Sequence, residues 1–528
     1  MQSGRTALRP EQVSATPLAA LAESVSARID TQSDNGPVAV TGVEQRSAHV
    51  LPGDLFVGLP GAKAHGARFA ADAVSRGAAA VLTDSAGAGL LDPELGVPVL
   101  VHDDPRGVLG EVSASVYGRP SERLLVVGIT GTSGKTTTSY LIEAGLTAGG
   151  RRTALIGTIG TRVEGRAVPS ALTTPEAPQL HAMFAAMVEQ GIDAVVMEVS
   201  SHALALGRVD GVRFDVAAFT NLSQDHFDFH AGFEDYFAAK ARLFAPESRV
   251  RADVAVVCVD DEWGQRMVEV AGPFTVTVST SGPANWTLAE GPAVDSRGQR
   301  FTVDGPMRLP MRLRLPGPYN VANALLAVAT CVAAGVDAAV AADALAQVQV
   351  PGRMERVDRG QDFLAVVDYA HKPAAVEAVL AALRSQNEGR IAAVVGAGGD
   401  RDSGKRPLMG EVAARAADLV VITDDNPRTE DPAAIREQVA AGARAVVAGR
   451  GEIRVIGDRA AAIAAAVAWA GPGDVVLVAG KGHETGQEIH GVKHPFDDRT
   501  VLAAALDQRV GGADAAVTTR AAGEMTQS

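Results

Sequence analysis

The chain has 528 residues, 47% of them hydrophobic and 21% charged, with a formal net charge of −14. That length exceeds one hydrophobic core and calls for about three domains, while the acidic balance excludes general binding to nucleic acid or to anionic membranes. No stretch approaches the roughly 18 apolar residues of a transmembrane helix, so no membrane insertion is expected.

Residues 1–16 read as a floppy start, with no apolar signal core in Met1 to Pro10. Residues 17–120 alternate short strands and helices, an α/β block whose chemistry is not specific by itself. Pro52 to Gly61 is a turn, a short strand and a second turn. His65 to Arg76 reads as a helix and Ala78 to Thr83 as a strand. Gly118-Arg-Pro-Ser121 reads as a linker. The block at 121–352 opens on the buried strand Leu124 to Ile129, the turn Gly131-Thr-Ser-Gly134, then Lys135, Thr136 and a helix to Ala148 that stops at Gly149-Gly150. Strand, glycine turn, Lys-Thr and helix form a phosphate-binding loop, with Ile129 where the strict pattern has glycine. Gly131 and Gly134 let the backbone wrap phosphate oxygens, the helix N-terminus supplies positive partial charge, Lys135 adds a full charge, and the Thr136 hydroxyl suits magnesium.

The strand Ile192 to Ser201 ends in Glu198, Ser200, Ser201 and His202. In open α/β sheets ligands gather at the carboxyl ends of strands, so Glu198 reads as a magnesium-holding carboxylate, the alternative being a polar cluster that caps a loop. Asp225, His226, Asp228 and His230 crowd one short turn. Metal or proton chemistry and a self-satisfied Asp/His turn are equally compatible with that spacing. Lys240, on the helix Phe233 to Phe244, reads from its spacing as a solvated helix residue. Asn320 and Asn323 lie one helical turn apart, where their amides suit an adenine ring or, for Asn320, a helix cap. Pro351-Gly-Arg-Met-Glu355 reads as a second linker and a candidate hinge.

The third block, 353–510, repeats strand–helix units, with strands at Leu364–Asp368, Ile391–Val395, Leu419–Thr423, Ile453–Ile456 and Val475–Ala479. The loops after them carry Asp368-Tyr-Ala-His371, Gly396 to Asp402, Asp424 to Arg428 and Gly480-Lys-Gly-His-Glu484, all at one sheet edge. A dinucleotide reading of Gly396-Ala-Gly398 fails because Arg401 occupies the third glycine position. Residues 511–528 read as a disordered tail. Cys258 and Cys331 lie in apolar segments and read as small hydrophobes in a reducing cytoplasm. Only seven of the 48 basic residues are lysines, and Lys135, Lys240, Lys405 and Lys481 fall in these motifs.

Taken together, Thr130-Gly-Thr-Ser-Gly-Lys-Thr-Thr137, Met197-Glu-Val-Ser-Ser-His202, Asn221 to Asp228, Gly317-Pro-Tyr-Asn-Val-Ala-Asn323, Gly352-Arg-Met-Glu355 and Asp368-Tyr-Ala-His371 resemble the Mur ligases, ATP-dependent amide ligases of peptidoglycan synthesis. The resemblance covers roughly residues 40–507 in the family's motif order. It implies an α/β chain of three domains: an N-terminal UDP-binding domain, a central P-loop ATPase domain with a mostly parallel sheet, and a C-terminal Rossmann-like domain. Gly399-Asp-Arg-Asp402, Asp425-Asn-Pro-Arg428 and Gly480 to Glu484 resemble the members that add diaminopimelate to UDP-N-acetylmuramoyl-L-alanyl-D-glutamate. ATP and magnesium are the implied cofactors, and a cytoplasmic monomer is expected.

By the same resemblance, Gly131, Thr132, Ser133, Gly134, Lys135, Thr136, Thr137, Asn320, Arg353, Asp368 and His371 hold ATP. Thr136, Glu198, His226 and Lys240 serve magnesium, Lys240 as a carbamate. Ser47, Ala62, Lys63, Ala64, Thr173, Thr174, Ser200 and Arg208 hold the UDP substrate, although Arg46, Ala48, Leu172 and Leu206 depart from the family pattern there. Arg401, Asp425, Asn426, Pro427, Arg428, Gly480 and Glu484 hold diaminopimelate. Arg428 offers a planar fork for its distal carboxylate and Glu484 suits its distal ammonium. An unpaired buried Arg428 would reject lysine. A lysine-adding or folate-directed ligase, and an ATP-driven switch, are the rival readings.

Overall fold

A computed structural model describes residues 8–30, 37–168, 172–295, 298–447 and 451–510. Two compact units emerge. The first takes the chain to Gly291 with Phe301–Arg312 and Val321–Gln347, and the second takes Pro292–Arg300, Leu313–Asn320 and the chain from Val348 onward.

Two main sheets build most of the first unit, beside the short pair Thr16–Pro17 and Ala39–Val40. The N-terminal sheet has five strands in the order Arg28–Asp30, Val99–Val101, Ala80–Thr83, Asp54–Val57 and Gly42–Glu44. All run parallel except the Arg28–Asp30 edge. The larger sheet has eleven strands, and at its centre Leu125–Thr130 lies between Ala194–Glu198 and Val216–Phe219, parallel to both. Thr153–Gly157 runs parallel beyond Ala194–Glu198. The carboxyl ends at Thr130, Gly157, Glu198 and Phe219 therefore share one edge. These strands are continuous apolar runs because helices cover both faces: Val126, Val127, Ile129, Val195, Val196 and Met197 are fully buried.

The second unit is built on a six-stranded sheet in the order Glu355–Arg356, Leu364–Asp368, Val475–Ala479, Ile391–Val395, Leu419–Ile422 and Glu452–Val455. Only the Glu355–Arg356 edge is antiparallel. The last strand in sequence inserts between the first two parallel ones, so the loops at 369–371, 396–402, 423–430 and 480–484 all leave the same edge.

One segment differs from its sequence reading. Residues 8–16 are anchored: Arg9 donates to Asp54 Oδ2 at 2.9 Å and Glu44 Oε2 at 3.3 Å, and the Glu11 and Gln12 amides both donate to Glu189. Glu44 and Asp54 are buried, so the guanidinium is held by two carboxylates that need a counter-ion. The Gly118–Ser121 stretch, read as a linker, is held by hydrogen bonds at both ends. The Arg119 amide donates back to Ala114 O at 2.7 Å, and buried Ser121 accepts from the Arg213 amide at 3.1 Å. Hydrogen bonds of this kind carry no periodic signal in sequence. The 511–528 tail lies outside the described residues.

Candidate functional site

In the first unit the phosphate-binding loop connects Leu125–Thr130 to the helix Lys135–Ala148. Its glycines are demanded by geometry. Gly131 has φ 143° and Gly134 φ 88°; a Cβ would lie 1.9 Å from Thr220 Oγ1 at the first and 2.4 Å from Asn323 Oδ1 at the second. Residues after the neighbouring strand clasp the loop. The Ser133 amide donates to Asn221 Oδ1 at 3.0 Å, Thr220 Oγ1 donates to Ser133 O at 2.7 Å, and the Thr132 amide donates to Asn221 O at 2.9 Å. Lys135 Nζ donates to Gly131 O at 2.8 Å and Thr132 O at 2.9 Å, which holds its charge over the loop.

Glu198 is 1% exposed at the end of the adjacent strand. Its carboxylate accepts from Thr136 Oγ1 at 3.1 Å, from Thr158 Oγ1 at 2.9 Å and from the Thr158 amide at 2.9 Å. These are neutral donors, and among the described residues no ion pair to Glu198 is found. A buried carboxylate supplied only with neutral donors fits a cation placed beside it and Thr136. No group of three His, Cys, Asp or Glu residues arranged for a metal occurs among the described residues, so a divalent cation here would rely on hydroxyl and phosphate oxygens as well.

Lys240 is buried, which corrects the solvated-helix reading. Its Nζ donates to Gly131 O at 2.9 Å and lies 4.4 Å from the centre of the Tyr236 ring. Burial, together with the neighbouring Lys135 charge, holds its ammonium well below the usual lysine range. Helical spacing placed Lys240 on a helix from Phe233 to Phe244, observed as Phe233–Ala241, but could not tell which face meets the loop.

The Asp/His turn divides into two roles. His230 is buried and structural, with Nε2 3.0 Å from Ser201 Oγ and Nδ1 3.1 Å from Asp235 Oδ2. His226 stays 44% exposed, beside Asp225, in a left-handed conformation with φ 56°. Its ring lies 4.8 Å from that of His202.

Thr173, Thr174, Ser200 and Arg208 gather around the end of the strand that carries Glu198. Thr174 Oγ1 donates to the Glu198 backbone oxygen at 2.9 Å and accepts from the Ser200 amide at 3.2 Å. Thr173 Oγ1 is 3.3 Å from Thr158 Oγ1, and Arg208 pairs with Glu176 at 2.7 Å. Ser47 and Ala62–Ala64 follow the adjacent parallel strands Gly42–Glu44 and Asp54–Val57 and so leave the same edge of the N-terminal sheet. Arg46, where the sequence departs from the family pattern, is turned onto Glu44 at 3.2 Å.

In the second unit, Asp368 accepts from the Met354 amide at 2.8 Å and the Ala370 amide at 2.7 Å. Burial pushes its carboxyl above the usual range against the pull of Arg353. The Arg353 guanidinium stacks 4.5 Å from the Tyr369 ring centre, and His371 Nδ1 lies 2.8 Å from Tyr369 O. Burial holds the His371 imidazole down at about 4, so it is neutral at physiological pH. Asn320 is buried inside the helix Pro318–Ala333 and its amide nitrogen donates to Pro316 O at 2.7 Å, a bond that is not the N-cap that the sequence left open.

The neighbouring loops form a polar cluster. Asn426 Nδ2 donates to Glu484 Oε2 at 3.0 Å. Arg428 Nη1 donates to Gly399 O at 2.7 Å, and its Nε lies 3.3 Å from Glu488 Oε2. Arg428 is therefore paired, which corrects the reading of it as an uncompensated cation: the hairpin Gly486–Ile489 and Val492–Pro495 brings Glu488 to it, a contact between distant segments that no local motif announces. The backbone of Pro427 presses so closely on Gly399 that a Cβ there would lie 2.0 Å from its oxygen, and at Gly480 a Cβ would lie 2.5 Å from Asp425 Oδ2. Arg401 is exposed at the rim. Sequence reasoning missed Thr158, Thr220, Tyr236 and Glu488. Only Thr158, in Gly-Thr-Ile-Gly directly after a strand, carried a local cue.

Three family descriptions match this chain: "Mur ligase family, catalytic domain" over residues 39–117, "Mur ligase middle domain" over 129–331 and "Mur ligase, glutamate ligase domain" over 352–482. The UDP-N-acetylmuramoyl-L-alanyl-D-glutamate–2,6-diaminopimelate ligase of Corynebacterium efficiens is 57% identical over 86% of this chain and 87% of its own. That of Streptomyces avermitilis is 54% identical over 95% and 99%. A solved structure of a ligase with the same name aligns with TM-score 0.66 and 34% identity, covering 89% of this chain and 95% of that one.

Proposed function

The chain belongs to the Mur ligase family, and from that membership we infer that it is an ATP-dependent amide ligase joining diaminopimelate to the D-glutamate of UDP-N-acetylmuramoyl-L-alanyl-D-glutamate in peptidoglycan precursor synthesis. The observation that carries the chemistry is the phosphate-binding loop set against the buried Glu198, with Lys135 over its carbonyls. The γ-carboxylate of the D-glutamyl residue attacks the γ-phosphorus of ATP, the bond to ADP breaks, and an acyl phosphate forms. The diaminopimelate amine then attacks the acyl carbon, loses a proton, and phosphate leaves. The protein's part is positioning and charge: Lys135 and the helix N-terminus face the triphosphate, while Thr173, Thr174, Ser200 and Arg208 are assigned to the UDP substrate. Thr136, Glu198 and His226 are the residues that would hold magnesium, which supplies positive charge against the phosphates when bound. Arg353, Asp368 and His371 are assigned to the nucleotide. Asn426, Arg428 and Glu484 are assigned to diaminopimelate.

ATP turnover by such an enzyme waits on its acceptors. ATP with either substrate alone is expected to release little phosphate, and the complete mixture to release it with matching tripeptide product. Brisk hydrolysis of ATP alone would instead favour an ATP-driven switch.

The neutral amine is the form that adds carbon dioxide, giving a carbamate and a proton, and burial beside Lys135 disfavours the ammonium of Lys240. Carbamylation places an anion beside Lys135. Lys240→Arg, which keeps the cation and cannot form the carbamate, is expected to lose at least about 100-fold in kcat, and labelled bicarbonate should give a carbamate carbon resonance absent from the variant. Full activity of Lys240→Arg would discard the role.

A further inference from the structure

Lys481 has no assigned role, yet its side chain is fully buried with 0% exposure, at the centre of the second unit's polar cluster. Its Nζ donates to Asn426 Oδ1 at 2.9 Å, lies 3.4 Å from Glu484 Oε2 and lies 3.7 Å from Asp425 Oδ1. Burying an ammonium is costly unless it is paired and hydrogen-bonded, so its partners say what it holds. The same Asn426 Oδ1 accepts from the Glu488 amide at 2.9 Å, and Asn426 Nδ2 donates to Glu484 Oε2 at 3.0 Å.

These bonds fix which way the Asn426 amide faces. Its oxygen sits between two donors, Lys481 and the Glu488 amide, so its nitrogen must point to Glu484. Glu484 in turn has one oxygen, Oε2, engaged by Asn426 and Lys481. The backbone serves the same end. Gly480 and Gly482 take positive φ values of 119° and 53°. A Cβ would lie 2.5 Å from Asp425 Oδ2 at Gly480 and 2.7 Å from Tyr369 Cβ at Gly482. The Gly-Lys-Gly turn thus pushes its lysine inward between the two loops while its own backbone approaches Asp425 and Tyr369.

We propose that Lys481 is a positioning residue for amino-acid selection. It neutralises Asp425 and Glu484 from behind and locks the Asn426 amide, so that Glu484 presents its remaining oxygen to the distal ammonium of diaminopimelate. This rests on the diaminopimelate-ligase reading above. Without Lys481, buried Asp425 and the partly exposed Glu484 lose the ammonium between them, and Asn426 Oδ1 keeps only the Glu488 amide as a donor, so the amide and the Glu484 oxygen it holds are fixed less firmly.

The test is steady-state kinetics of the full-length enzyme carrying Lys481→Met, which keeps length and loses the charge, and Lys481→Gln, which keeps a donor to Asn426 without the charge. The expected result for Lys481→Met is a KM for diaminopimelate raised at least about tenfold, with the KM values for ATP and the UDP substrate within about twofold of the parent. Lys481→Gln should fall between Lys481→Met and the parent. A simple loss of folded enzyme would lower kcat and leave every KM in place. An unchanged diaminopimelate KM in both variants would overturn the proposal, as would loss of cooperative thermal unfolding in both, which would make Lys481 a folding residue. If the parent enzyme itself shows no diaminopimelate-dependent turnover, the functional reading fails instead, and the two failures are told apart in the same assay.

Discussion

Lys135→Ala is expected to lower ATP-dependent ligation by at least about 10³-fold, the equivalent of about 4 kcal/mol of transition-state stabilisation. In the described structure the ammonium caps the Gly131 and Thr132 carbonyls, so removing it takes away a preplaced charge from the loop. Folding should survive, because the loop is also held by Thr220 and Asn221. The check is product formation at saturating ATP alongside the thermal unfolding midpoint. A folded variant retaining a tenth of the parent rate would remove Lys135 from the chemistry.

Arg428→Ala is expected to reduce kcat/KM for diaminopimelate by about 10²- to 10³-fold while leaving the KM for ATP within about twofold. Two terms contribute. The planar donor fork for the distal carboxylate is lost, and Glu488, now paired to Arg428 at 3.3 Å, is left as a bare anion where that carboxylate must approach. The same pairing tempers the discrimination against lysine. Lysine binding does not strand an uncompensated guanidinium, so rejection rests on the missing attraction of a carboxylate and is smaller than for an unpaired arginine. Residual turnover of lysine should therefore change little in Arg428→Ala. Equal fractional losses for diaminopimelate and lysine would take Arg428 out of the selection site.

Much of the fold was legible because its strands are long apolar runs with turn residues at both ends. Leu364–Asp368, Ile391–Val395 and Val475–Ala479 fall where the sequence places them, and the helix after the phosphate-binding loop ends at Ala148 before Gly149 as its glycine pair requires. The site was legible where glycine spacing encodes backbone shape, as at Gly131 and Gly134. What escaped was long-range. Whether Lys240 is buried depends on which side of its helix meets Gly131, and whether Arg428 is compensated depends on a hairpin 60 residues further on, at Glu488. The anchoring of residues 8–16 through Arg9 depends likewise on carboxylates of two later strands. Pairings between distant segments leave no periodicity for a local reading to find.

The most direct test of the account is phosphate release from UDP-N-acetylmuramoyl-L-alanyl-D-glutamate, ATP and magnesium, with meso-diaminopimelate, LL-diaminopimelate or lysine supplied separately and the tripeptide product weighed by mass spectrometry. The account predicts release that depends on a diaminopimelate isomer, with product in equal amount. Release supported by lysine but by neither isomer would contradict it.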